Sequence, residues 1–122
     1  MHPPKILAVL EDLFFTVKIN ESAKRAGLPI TFVKSGVDVL TQAAEKPALI
    51  IFDLNFTAVE PLKLIAQLKA DSGLKGVSVI GYLSHVQGEL KQAAHEAGCD
   101  MVLARSAFSQ NLPQILKRHS GQ

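Results

Sequence analysis

Five short runs rich in β-branched and aliphatic residues, at positions 5–10, 30–34, 48–52, 77–82 and 100–104, alternate along the chain with five longer segments of helical spacing. The first, third and fourth runs are apolar nearly throughout, which suits strands covered by helices on both faces. In the longer segments, Leu62, Ile65 and Leu68 step by three, and Val86, Leu90, Ala93, Ala94 and Ala97 step by three and four. Leu112, Ile115, Leu116 and His119 repeat the pattern. Gly27 and Gly98 fall where helices should stop, Pro61 where the third should start, and Pro47 closes the second. Alternation of this length predicts an α/β chain with a parallel sheet and right-handed crossovers, whose functional end lies beyond the carboxyl ends of the strands.

That edge is acidic. The third run, "ALIIFDLN", ends in Asp53, a carboxylate where a core would exclude one unless something pairs with it. Glu11 and Asp12 directly follow the first run, and Arg105 follows the fifth. An unpaired, desolvated carboxylate would cost several kcal/mol, so the Arg105 guanidinium is expected to reach Asp53 or Glu11.

Composition narrows the function classes. At 122 residues the chain is expected to be a single domain over 1–122, with its core in about 5–119. The net charge of +2 comes from scattered Lys and Arg, which supports neither a nucleic-acid nor a membrane surface. Cys99 is alone, so a small core residue in a reduced, cytoplasmic setting is expected. No apolar run approaches the ~20 residues of a membrane helix.

In order, "KILAV" at 5–9, "SGVDVL" at 35–40, "DLN" at 53–55 and "EAGCDMVLAR" at 96–105 make the chain resemble a CheY-like response-regulator receiver domain. The resemblance implies a three-layer, doubly wound (βα)5 fold with a five-stranded parallel sheet of flavodoxin-like type. It makes Asp53 the phosphoacceptor, Glu11, Asp53 and the Asn55 backbone carbonyl ligands of a divalent cation such as Mg2+, and Arg105 the stand-in for the family lysine. Other positions depart from the pattern. Leu10 replaces the second acid, with Asp12 as a substitute ligand if the loop shifts, and otherwise as the cap of the first helix. Leu83 replaces the switch hydroxyl, Val102 the switch aromatic, and Ser106 the proline after the lysine.

The resemblance therefore implies an atypical bacterial receiver of two-component or phosphorelay signalling. Its expected features are weak Mg2+ binding, weak or no phosphorylation of Asp53, and no enzymatic activity beyond that self-phosphorylation. Output would pass through a histidine kinase, another signalling protein, or a second copy docked on the face of the fourth helix, fifth strand and fifth helix. A fully phosphorylatable, Mg2+-dependent receiver is the alternative. A flavin or nucleotide binder on the same sheet is more remote, because the loop at 11–15 is acidic and bulky where a phosphate cradle needs small residues. His2, His85, His95 and His119 include no i, i+4 pair and read as surface residues. One of Phe14 and Phe15 should be core while the other could line the crevice, and Phe56 reads as a lid over Asp53 or a partner contact.

Overall fold

The structure, a computed structural model, describes residues 4–84 and 88–120. The chain runs β1 (Ile6–Val9), α1 (Leu13–Ala26), β2 (Ile30–Val33), α2 (Gly36–Ala43), β3 (Leu49–Asp53), α3 (Pro61–Ala70), β4 (Ser78–Leu83), α4 (Gly88–Ala97), β5 (Met101–Ala104) and α5 (Arg105–Arg118). Single 3-10 turns at Thr57–Val59 and Ser72–Leu74 flank α3. All pairings are parallel, in the order β2-β1-β3-β4-β5. No described helix is long and apolar enough to cross a membrane.

Period-two alternation divides the core between the two faces of the sheet. Ile6, Ala8, Ile51 and Ile80 pack with Phe15 and Ile19 of α1 and with Phe108 and Leu112 of α5. Leu7, Val9, Ile50 and Phe52 pack on the opposite side with Val39, Ile65 and Ala94 from α2, α3 and α4. Cys99 is buried in this second core, where burial pushes its thiol up to about 11.

The local signals act as their chemistry requires. Asp12 caps α1 by accepting from the Phe14 and Phe15 amides, Ser35 caps α2, and Pro61 opens α3. Gly27 ends α1 at φ 70°, a left-handed turn that costs glycine little. At the opposite end of the sheet, Asp100 accepts from Lys69 Nζ at 2.7 Å and from the Val79 amide at 2.8 Å, which ties α3 to β4 and β5.

Several expectations change. The third strand extends to include Asp53 itself. The second helix stops at Ala43, before Pro47, and the chain turns through Lys46 at φ 57°. The proline thus sets the approach to β3 rather than the helix end, because it excludes right-handed helical geometry at the residue before it. Phe56 is neither lid nor contact: it is 7% exposed and packed in the α2–α4 core. His95 is exposed, and His119 turns Nδ1 to the Ile115 carbonyl at 2.9 Å, while His2 and His85 lie outside the described residues.

Gly81 makes room in β4 for the buried Leu54 side chain. A Cβ at Gly81 would lie 2.7 Å from Leu54 Cδ1. Gly81→Ala should therefore lower unfolding free energy by about 1–3 kcal/mol, read as an earlier urea midpoint at unchanged m-value.

Candidate functional site

The carboxyl ends of β1 and β3 are adjacent, and β4 separates β3 from β5. This order gathers Leu10–Asp12, Asp53–Asn55 and Arg105 at one edge, as the parallel topology predicts. Asp53 is the one charged residue that is buried among those described, at 8% exposure. Its Oδ1 accepts from the Asn55 amide at 2.9 Å. The other carboxylate oxygen has no hydrogen bond among the described residues. Burial pushes the Asp53 carboxyl above the usual carboxylate range; the Asn55 bond and the Arg105 charge oppose this, and the charges of Asp12 and Glu11 add to it.

Arg105 neutralises the edge through a different acid from the one expected. Its Nη2 donates to Asp12 Oδ2 at 2.5 Å, and its Cζ lies 4.5 Å from the centroid of the Phe15 ring. Neither Asp53 nor Glu11 forms an ion pair with it among the described residues. The cause is packing. Arg105 is the first residue of α5, which lies against α1, so its head meets the α1 cap while Asp53 is reached only by its field. The bond from Arg105 is the largest influence on Asp12, and with the two amide bonds it outweighs desolvation and holds that carboxyl low. Asp12 is thus cap and counterion at once: Oδ1 faces the Phe14 and Phe15 amides and Oδ2 the guanidinium.

The remaining site positions separate into wet and dry. Glu11 is exposed on the loop. The Asn55 carbonyl accepts from the Thr57 amide at 3.0 Å, and the Asn55 side chain accepts from the Ser84 amide at 2.9 Å, joining the loops after β3 and β4. Leu10, Leu83 and Val102 are all core. Phe15 lies beneath Arg105, whereas Phe14 stands 70% exposed and does not line the crevice.

This donor set does not fit a divalent cation. A hard cation needs several free oxygens converging on one point. Here Leu10 removes one acid, both Asp12 oxygens are engaged, and Glu11 is exposed. No cluster of three or more acids, histidines or cysteines placed to hold a metal occurs among the described residues.

Tyr82 is the site residue that the sequence did not single out. It pairs in register with Asp53, stacks on Phe108 at 4.8 Å and meets Phe15 edge-on at 5.1 Å. The residue is fully buried, and its hydroxyl has no hydrogen-bond partner among the described residues, which costs about 1–3 kcal/mol. Burial raises the phenol pKa, and the negative charge of Asp53 raises it further. The signal available in the sequence was a polar-tipped aromatic within an otherwise aliphatic run.

The two carboxylates should affect acid stability in opposite directions. Asp12, held low, contributes stability that is present above the ordinary carboxylate pKa and lost as pH falls through its folded value. Asp53, held high, contributes stability that is present in acid and lost as pH rises through its folded value. Asp53→Asn should therefore be more stable than wild type at neutral pH by about 1 kcal/mol, with the difference vanishing in acid; urea titrations across pH check this.

No protein-family model matches the chain. It is 22% identical over 120 residues, 97% of this chain and 98% of the relative, to the polar-differentiation response regulator DivK of Brucella anthropi. Among solved structures it is similar to the chemotaxis response regulator CheY4 of Vibrio cholerae, at TM-score 0.81 and 19% identity over 97% of this chain and 99% of that one. It is also similar to the Mn(2+)-bound form of response regulator Rcp1, at TM-score 0.74 and 17% identity over 94% and 91% of the two chains. The matches span nearly the full length of each chain, and the chain has the CheY-like fold of a response-regulator receiver domain.

Proposed function

We propose that the chain is a receiver module of two-component signalling that acts by protein contact in one standing conformation, with Asp53 a poor or idle phosphoacceptor. The observation that carries this reading is the Arg105–Asp12 pair, which places a fixed guanidinium at the acidic edge where the family resemblance calls for a metal-assisted phosphoryl site. Phosphoryl transfer to a carboxylate needs cationic charge on the transferring oxygens and a free nucleophile. In this chain the cation is already committed to Asp12, and Asp53 is desolvated beneath it. The dry Leu83 and Val102 leave no hydroxyl and aromatic at the switch positions to report a phosphoryl group.

A partner such as a histidine kinase or another signalling protein suits this reading, as the likeness to a response regulator over nearly the whole chain supports. Leu13, Phe14 and Val17 stand exposed together on the first turns of α1, beside the site.

Incubation with Mg2+ and a small acyl-phosphate donor, followed by intact-mass analysis against Asp53→Asn, tests the proposal. Little or no phosphoryl increment is expected at Asp53. A robust increment that Asp53→Asn abolishes would replace this reading with that of a fully phosphorylatable receiver.

A further inference from the structure

We propose that Asp12, Arg105 and Phe15 form a latch that keeps the Tyr82 hydroxyl unpartnered, and that opening the latch lets this hydroxyl bond to the Asp53 carboxylate. The inference goes beyond the signalling role and does not rest on transfer of a phosphoryl group.

An unmet phenol and a carboxylate belong to neighbouring positions at the sheet edge. Tyr82 and Asp53 are direct partners in the β3–β4 ladder, so their side chains leave the same face of the sheet. The phenol is a buried donor without an acceptor, and the Asp53 oxygen not engaged by the Asn55 amide accepts from no described residue and so is free to take a donor. The faces packed on the phenol ring offer no acceptor, since both are phenylalanine rings. The charged groups whose fields reach the phenol are Asp53, Arg105 and Asp12.

One carboxylate fixes this cover in place. Asp12 Oδ1 accepts from the Phe15 amide, and its Oδ2 holds the guanidinium that lies on the outer face of the Phe15 ring. Phe15 is therefore clamped between Arg105 and Tyr82. The clamp can open without stranding a charge, because the Arg105 and Asp12 side chains are 36% and 30% exposed and water can take up both. In the closed state the ion pair is made and the phenol is orphaned. In the open state the guanidinium is solvated and the phenol finds Asp53. Because the first turn of α1 hangs from the Asp12 cap, the state of the latch is also presented at Leu13 and Phe14 on the surface.

The chain has one tyrosine and no tryptophan, so tyrosine emission reports Tyr82 alone. A phenol bonded to a carboxylate emits weakly, because its excited state passes the proton across. Arg105→Ala should show a several-fold loss of emission, and so should Asp12→Asn, which retains a capping oxygen. Adding Asp53→Asn to Arg105→Ala should restore emission to the wild-type level. Wild type titrated with salt, which screens the half-exposed pair, should lose emission progressively and needs no variant to fold. Unchanged emission in both latch variants and in salt would overturn the latch. Quenching that persists without the Asp53 carboxylate would overturn the pairing of Tyr82 with Asp53. Far-UV circular dichroism on each variant confines the comparison to folded protein.

Discussion

A desolvated carboxylate at the rim of a sheet covered on both faces sets the terms for everything around it. Asp53 cannot recruit water freely, and one of its oxygens is occupied by the Asn55 amide. Its charge must be balanced by a field rather than a contact, and Arg105 supplies that field from the start of α5. A cation at a helix N-terminus is itself unfavourable, since that end carries partial positive charge, whereas an anion there is favoured. Asp12, at the N-terminus of α1, resolves both terms together: it relieves the positive end of one helix and the misplaced cation of the other. The apolar packing of α1 against α5 brings the two charges together, and the bridge they form lies over Phe15, which in turn meets the buried phenol of Tyr82.

The strands and their order were legible because two periodicities and a few breakers determine them. The apolar runs required burial on both faces, and only crossover helices provide that between parallel strands. The convergence of Asp53, Glu11, Asp12 and Arg105 on one edge followed from topology alone. The choice of Arg105's partner did not, because it depends on how α5 lies across α1, a tertiary angle that no local spacing encodes. Phe56 was misjudged for a related reason: a loop position suggests exposure, yet the 3-10 turn at Thr57–Val59 folds the ring inward against Val59 and its neighbours. Lys46 and Glu60 adopt left-handed geometry, at φ 57° and 51°, without the glycine that would have announced it.

The apolar residues at Leu10, Leu83 and Val102 have a shared consequence. The position that the family resemblance assigns to the second acid and the two it assigns to the switch hydroxyl and aromatic are all closed into the core. Leu83 and Val102 belong to the core beneath α2, α3 and α4, so neither offers a polar group that could follow a change at Asp53. The loops above it are tied by the Asn55–Ser84 bond, which joins the ends of β3 and β4.

The polar tip nearest Asp53 lies on the other face. Tyr82 sits in the core shared with α1 and α5, among Phe15 and Phe108, and so does Leu10. Packed cores move between discrete arrangements rather than deforming continuously, so a change at Asp53 reaches the surface only where two arrangements are close in energy. Under α2–α4 the buried side chains are almost all apolar, and Leu83 and Val102 are among them. Under α1 and α5 an ion pair half open to water competes with a buried hydrogen bond not yet made, which is the kind of balance a small perturbation can tip. The chain has thus kept the acidic edge of its fold while placing the responsive contact on the α1 side, where the first turn of that helix and its exposed apolar residues are within one hydrogen bond of the site.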